Sequence, residues 1–175
     1  NNTSLNNIKL KGYNSINSMS KPIINKFIKR VYKEIECCSE FSESEITYNV
    51  KTGGFVINCM YNNKYAIYVE LDNKYPFRPP ALVKINNKIY DHTTWLLSDN
   101  IKNRLFTDYK ISCLYCHSML CSNNWKPGLT ILHIIQEYEN NKNMIQALSA
   151  VEILKNNHIE FSSEIEKRIL SFCFS

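Results

Sequence analysis

The stretch "FVINCMYNNKYAIYVEL", residues 55–71, decides the fold of this chain. It contains two runs, 55–61 and 65–71, that are rich in β-branched and aromatic residues and carry the two-residue period of half-buried strands. Between them lies Asn-Asn-Lys, whose residue types are common in tight hairpin turns. The stretch therefore predicts an antiparallel hairpin.

The same pattern continues on both sides of this hairpin. A run over 46–50 precedes it across Lys-Thr-Gly-Gly, and a run over 81–85 follows it across the proline-rich segment "DNKYPFRPP". Four short strands joined by turns predict an antiparallel meander, one face of which is free for a helix to cover.

The segment 21–38 supplies that helix. Its apolar residues recur at helical spacing, and a proline stands near its start, where it does least harm. The opposite face carries Lys26, Lys29, Arg30 and Lys33, and such a charged face is usually only solvated. Residues 1–20 are polar and aperiodic and predict a loose N-terminal tail, which leaves 21–175 as a single domain.

The C-terminal half predicts an irregular segment followed by helices. Residues 86–124 have no clean period. After "WKPG", Thr130 is the expected N-cap of a helix that "ENNKN" (139–143) would end. Further helices are expected at about 143–155 and about 163–173, the second opened by a capping box of Ser163 and Glu166. The order helix, four-stranded meander, irregular segment, C-terminal helices predicts an α+β fold.

Composition excludes several classes of protein. The 175 residues are 44% hydrophobic and 21% charged, as in soluble globular proteins. The net charge of +5 is short of a dedicated nucleic-acid binder, and no run approaches the length of a membrane span, so we expect neither partner. The first residues lack the apolar core of a signal peptide, and seven cysteines are an odd number. We therefore expect reduced thiols in the cytoplasm or nucleus.

Three cysteines and a histidine lie in the segment "CLYCHSMLC", residues 113–121. As a haem-attachment motif, Cys113, Cys116 and His117 would need an exported protein with a haem-sized cavity, which nothing else in the sequence suggests. As a zinc site, these three and Cys121 lie unusually close together, since local sites usually draw on a second, distant pair. The distant candidates are Cys37, Cys38 and His92.

Two further interpretations concern the same cysteines. A cysteine nucleophile needs one exposed thiol on a rigid backbone, with donors aimed at a developing oxyanion. Alternatively, the cysteines are small buried hydrophobic residues. The residues of this segment alone leave all four interpretations open.

Two motifs flank the cysteine segment. "YPFRPP" (75–80) follows the third predicted strand, and "WKPGLTI" (125–131) leads into the next helix. With the order of elements, they resemble the ubiquitin-conjugating enzymes over about residues 21–140, and the resemblance implies a UBC-like fold. The matching residues are Tyr75, Pro76, Phe77, Pro79, Pro80, Trp125, Pro127, Leu129, Thr130 and Ile131.

The resemblance also implies an activity. Such an enzyme takes ubiquitin or a ubiquitin-like modifier from an activating enzyme as a cysteine thioester and passes it to a lysine amine, without a metal or cofactor. Cys116 fits the family's spacing, because Trp125 lies nine residues along and the apolar pair Met119 and Leu120 follows it. Cys113 is the second candidate, since Leu114 follows it as in the family, but it lies twelve residues before the tryptophan, which needs a longer loop.

Partner surfaces are implied in the same way. Phe77 and Pro127 would form an exposed patch that faces a ubiquitin ligase or a partner variant. The basic face of the first helix, with Lys26, Lys29 and Lys33, would dock the activating enzyme.

The chain departs from the family at its active site. Asp91, His92 and Thr93 stand where the family has His-Pro-Asn, whose asparagine stabilises the oxyanion or its loop, so activity is expected to be impaired. The residues that could substitute are His92, Asn100 and Asn103. Asp91 and Asp108 are weak candidates for assisting deprotonation of the attacking amine. The alternative is a catalytically inactive variant, or the related RWD-like module, that binds ubiquitin or scaffolds a partner.

Overall fold

The computed structural model describes residues 9–11, 21–49, 52–91, 94–95, 97–159, 162, 164–165 and 168. Its elements are, in chain order, β1 (Lys9–Lys11), α1 (Lys21–Glu36), β2 (Phe41–Asn49), β3 (Gly54–Tyr61), β4 (Tyr65–Leu71), β5 (Leu82–Ile85), β6 (Lys88–Ile89), α2 (Asp99–Tyr109), α3 (Leu114–His117) and α4 (Ile131–Asn156). The α+β class predicted from the sequence is confirmed.

The strands form one six-stranded sheet in the order of the chain. Strands β2 to β6 are antiparallel, so the predicted meander is present and gains one strand, β6. The prediction of a loose tail is wrong at residues 9–11, because β1 pairs in parallel with β2. Three residues are too few to show a period, and the open edge of β2 can pair with a polar segment through backbone groups alone.

Asparagine pairs make two of the turns in this sheet. Asn62 and Asn63 both have φ near 51°, and they connect β3 to β4 at the predicted hairpin. Asn86 and Asn87 have φ of 51° and 63° and connect β5 to β6, where the sequence indicated only an irregular segment. Asparagine tolerates this left-handed region better than most residues, which explains why the same pair recurs at both turns.

Helix α1 covers the sheet as predicted. Val31 and Ile35 are fully buried in the main core, and the ring of Phe27 lies 4.9 Å from that of Phe55 on β3. Pro22 is in the first turn of the helix, where its missing N–H is not needed. The buried face of the helix thus follows the apolar spacing of the sequence.

The predicted break in the C-terminal helix is wrong. Helix α4 runs without interruption through 139–143. Asn, Glu and Lys in a helix interior each cost well under about 1 kcal/mol relative to Ala, which packing easily offsets. The buried stripe crosses the polar stretch. Its members are Ile131, Ile134, Ile135, Met144, Ala147, Leu148 and Val151. The helix expected at about 163–173, with Ser163 and Glu166, lies almost entirely outside the described residues.

Helix α2 lies inside the segment predicted to be irregular. Ser98 caps its start, since its Oγ accepts a hydrogen bond from the Ile101 N–H, and Lys110 ends it in a left-handed conformation. Ile101 and Leu105 are its buried residues and pack with α4 in a second apolar cluster. A stripe of two apolar residues is too narrow to stand out in a polar sequence. None of the helices among the described residues is long and apolar enough to cross a membrane.

Candidate functional site

The cysteine segment folds into one helical turn, α3. Cys113 stands at the N-cap with extended backbone, at φ −157° and ψ 119°, and its carbonyl accepts a hydrogen bond of 3.2 Å from the His117 N–H. Leu114 is buried in the cluster between α2 and α4 and anchors the turn. Cys113 is partly exposed and Cys116 is exposed. The turn therefore presents one exposed thiol and a second, partly exposed thiol beside it.

A side chain from the next loop fixes the backbone of this turn. The Asn124 amide donates hydrogen bonds to the carbonyl oxygens of Cys116, at 2.7 Å, and of Ser118, at 3.0 Å. Asn124 is itself held because its N–H donates to the Cys121 carbonyl. The carbonyl end of the Cys116 residue is thus held by a residue eight positions further along the chain.

Glu137 on α4 ties the same segment to the sheet. Its carboxylate accepts hydrogen bonds from the Ser118 hydroxyl at 2.6 Å, the Met119 N–H at 2.7 Å and the Tyr90 hydroxyl at 2.8 Å. Burial and the charge of Glu137 raise the pKa of Tyr90, so its hydroxyl stays protonated and donates. The Glu137 carboxylate therefore links Tyr90, which follows β6, to Ser118 and Met119, which follow the cysteine turn.

The thiols of Cys113 and Cys116 interact. The backbone N–H and the thiol of Cys116 lower the pKa of the Cys113 thiol, and the hydrogen bond to Cys113 raises the pKa of Cys116. Burial acts in the opposite direction on two other cysteines, since it raises the pKa of Cys38 to about 11 and that of Cys59 to about 12. A thiolate therefore forms more easily at Cys113 than at the buried Cys38 and Cys59 near neutral pH.

Of the other predicted active-site residues, those that the structure describes lie in the turn after β6 and on α2. Asp91 follows Tyr90 in the turn after β6, and its N–H donates to the Thr94 hydroxyl at 2.8 Å. His92 lies outside the described residues. Asn100 is at the start of α2, where its amide donates to Glu152 on α4 at 2.8 Å. Asp108 is at the other end of α2 and is exposed, like Asn103.

The cysteines of this turn do not belong to a cluster of metal-ligating side chains within the described residues. Over the part of the chain that the structure describes, no three side chains of His, Cys, Asp or Glu converge in an arrangement that could hold a metal ion. The six cysteines within that part are free thiols.

The two proline-containing loops lie against each other. The Trp125 indole N–H donates to the Pro76 carbonyl at 2.7 Å, and its ring packs 5.9 Å from that of Tyr75. Phe77, next to Pro76, is 78% exposed, and Pro127, two residues after the tryptophan, is also exposed. Both loops thus expose an apolar side chain close to the point where they are joined.

A buried carboxylate supports these loops from beneath. Glu34 on α1 accepts hydrogen bonds from the Tyr75 hydroxyl at 2.7 Å, from Arg30 Nε at 2.6 Å and from the Ile131 N–H at 3.2 Å. The Arg30 guanidinium also donates to the Pro127 carbonyl at 3.2 Å. Glu34 therefore joins α1 to the loop of Tyr75, which is itself a core residue, and to the start of α4.

The basic face of α1 lies only partly in solvent, because Arg30, which the sequence placed on that face, is partly buried and bonds to Glu34 and to the Pro127 carbonyl. Lys26, Lys29 and Lys33 are exposed. The sequence placed them on the outer face of the helix, and the structure does the same.

Sequence reasoning missed the residues that hold the cysteine turn. Glu137 and Asn124 act through contacts to backbone groups and hydroxyls 6 to 47 residues away in the chain, and such contacts leave no local pattern. The one available signal was Glu137 itself, a carboxylate beside the apolar stripe of α4. Compared with protein-family models, with curated proteins and with solved structures, the chain gives no significant match.

Proposed function

We propose that this protein has a UBC-like fold and carries ubiquitin or a ubiquitin-like modifier as a cysteine thioester, which it transfers to a lysine amine. The observation that carries the proposal is the exposed Cys116 thiol on a turn that Asn124 and Leu114 hold in place. The flanking "YPFRPP" and "WKPGLTI" motifs support it, since they resemble those of ubiquitin-conjugating enzymes and lie on loops joined through Trp125 and Pro76.

The chemistry asks little of the protein beyond a positioned thiol. The cysteine thiolate attacks the thioester carbonyl of the modifier, and the tetrahedral intermediate collapses to expel the thiolate of the activating enzyme. One thioester replaces another, so neither a metal nor a cofactor takes part. A deprotonated lysine amine then attacks the new thioester and releases the cysteine.

Two thiols compete for the role of acceptor. Exposure favours Cys116, because the incoming thioester is part of a large protein and must reach the sulfur. Ease of ionisation favours Cys113, whose pKa is lowered by the Cys116 N–H and thiol. We propose Cys116 as the acceptor, because a partly buried sulfur cannot be approached by a protein-bound carbonyl without a rearrangement of the turn.

A binding protein of the same fold is the second candidate function. The substitution of the family's His-Pro-Asn by Asp91, His92 and Thr93 favours it, because a missing oxyanion donor typically costs about 10²–10³ in rate. The exposed Phe77 and Pro127 would serve such a scaffold as well as an enzyme. For either function, the six free thiols among the described residues suit the reducing conditions of the cytoplasm or nucleus.

A charging assay separates the two functions. The full chain is incubated with ATP and a panel of activating enzymes and modifiers, and adducts are resolved with and without reductant. We expect a reductant-sensitive adduct that Cys116→Ala abolishes and that Cys116→Ser converts into an oxyester resistant to thiols. Cys121→Ala is the matched control and should charge normally.

Two results would change the proposal. An adduct that persists in Cys116→Ala and disappears in Cys113→Ala would move the acceptor to Cys113. No adduct with any modifier, from protein that still unfolds cooperatively, would leave the binding function in its place.

A further inference from the structure

Cys113 and Cys116 occupy two positions of a helical turn whose side chains meet. Cys113 is the N-cap of α3 and Cys116 is the third residue of the helix. Residues three positions apart in a helical turn are neighbours on one face, with Cβ atoms about 5–6 Å apart. The two thiols are also close enough that each shifts the pKa of the other. Their places on one turn therefore make the two sulfurs neighbours.

The pair is also accessible and firmly held. Cys116 is exposed and Cys113 is partly exposed, so a small reagent can reach both. Leu114 and Asn124 hold the turn from either side. By contrast, Cys38 and Cys59 are buried in the main core, where burial keeps their thiols protonated.

We propose that Cys113 and Cys116 are a reversible oxidation site, at which a peroxide converts the two thiols into an intramolecular disulfide. Regulation by this bond rests on the function proposed above: the disulfide would remove the acceptor thiol and stop charging until it is reduced. The disulfide itself does not depend on that function.

The chemistry balances with hydrogen peroxide as the oxidant. The Cys113 thiolate attacks one oxygen of the peroxide, the O–O bond breaks, and the departing hydroxide is protonated to water, which leaves a sulfenic acid on Cys113. The Cys116 sulfur then attacks the Cys113 sulfur and displaces hydroxide, which takes the Cys116 proton and leaves as a second water. Two thiols and one peroxide give one disulfide and two waters.

The order of attack follows from the environment of the two thiols. The Cys116 N–H and thiol lower the pKa of Cys113, so Cys113 holds the larger thiolate fraction near neutral pH and reacts first with the peroxide. Cys116, whose pKa is raised by the same hydrogen bond, then resolves the sulfenic acid. Thiolate character and a neighbouring resolving thiol are the two features that distinguish a redox-active cysteine from an inert one.

Thiol mapping on the full chain tests the proposal. The protein is treated with increasing hydrogen peroxide, free thiols are alkylated, and peptides are analysed by mass spectrometry, which also separates Cys173. We expect Cys113 and Cys116 to lose alkylation together, in a peptide two hydrogen atoms lighter, at a peroxide dose that leaves the exposed Cys37 alkylated. Dithiothreitol should restore both thiols.

Variants assign the bond. Cys113→Ser and Cys116→Ser should each abolish the disulfide, and Cys113→Ser keeps a good N-cap residue, so the turn is preserved. Cys121→Ser is the matched control, because Cys121 is also close enough to influence the pKa of Cys116. This variant should leave the disulfide intact.

Two outcomes would overturn the proposal. One is a disulfide between Cys116 and Cys121 in place of the proposed pair. The other is oxidation of Cys113 and Cys116 no faster than that of Cys37. Because neither measurement uses an activating enzyme, a failure of the disulfide is distinct from a failure to charge.

Discussion

Glu34 is the residue on which the contact between α1, the "YPFRPP" loop and α4 depends. Its carboxylate is buried and accepts hydrogen bonds from Arg30, Tyr75 and the Ile131 N–H. Two of these donors have no access to bulk water, so they would be left unsatisfied if the carboxylate were removed. An unsatisfied buried donor costs about 1–3 kcal/mol.

We therefore expect Glu34→Ala to lower the free energy of unfolding by roughly 2–4 kcal/mol, a range that allows for Arg30, which is partly exposed and can be hydrated. Denaturant titration followed by circular dichroism measures the change. Glu36→Ala is the control, since Glu36 is exposed on the same helix and should cost within about 0.5 kcal/mol. A loss below about 1 kcal/mol in Glu34→Ala would mean that the three donors find other partners.

Phe77 is 78% exposed, whereas the ring of Phe55 is buried in the core. We expect Phe77→Ala to change the free energy of unfolding by no more than about 0.5 kcal/mol, whereas Phe55→Ala in the core should cost about 3–5 kcal/mol. If the proposed function holds, Phe77→Ala should slow ligase-dependent transfer and leave charging unchanged. A large loss of stability in Phe77→Ala would count against a binding role.

At the scale of single elements, α1 has one face in the core and one basic face in solvent. Reversal of Lys26, Lys29 and Lys33 to Glu should slow charging by the activating enzyme several-fold at low salt, because long-range steering depends on the charge of this face. The fold should stay intact, since surface substitutions usually cost within about 0.5 kcal/mol each.

The control for this reversal carries the same change in net charge on other exposed surfaces. Its three substitutions are Lys88→Glu, Lys102→Glu and Lys155→Glu. Initial charging rates are compared at two ionic strengths, because screening weakens attraction between exposed charges. Equal charging rates for the two triple variants would mean that the basic face of α1 is only solvated and does not dock the activating enzyme.

Helix α4 tests how far local sequence determines an element. Asn140 is exposed in the middle of the stretch that predicted a break, yet the helix continues through it. We expect Asn140→Pro to cost about 3 kcal/mol or more, because proline removes a helical hydrogen bond and clashes with the preceding turn. Asn140→Ala should instead be neutral or stabilising by a few tenths of a kcal/mol. Thermal unfolding of the two variants measures the change in stability. If the proline is tolerated, the segment of α4 forms two helices rather than one.

At the scale of the whole molecule, the parts predicted from the sequence are those with a repeating local pattern. The strands of the meander, the buried face of α1 and the Thr130 cap belong to this class. Among the parts missed were β1, which pairs through backbone groups, and α2, whose apolar stripe has two residues. Neither has enough local signal, because tertiary contacts supply what the local sequence lacks.

The candidate site divides in the same way. The cysteines, Phe77 and Trp125 could be found as motifs, because their residue types are unusual and their spacing is local. Glu137 and Asn124 could not be found, since they act on groups that only the folded chain brings to them. The identity of the cysteine that acts also depends on the turn, where exposure favours Cys116 and ionisation favours Cys113.

The buried contact between Glu34 and Tyr75 also limits how this chain can diverge. A homologue that replaces the carboxylate with an apolar side chain would leave the Tyr75 hydroxyl without its hydrogen-bond acceptor. A homologue that replaces Tyr75 with Phe would remove a donor from Glu34. The two positions should therefore change together, Glu with Tyr or apolar with Phe. Substitution at position 34 is thus coupled to substitution in a loop 41 residues away in the chain.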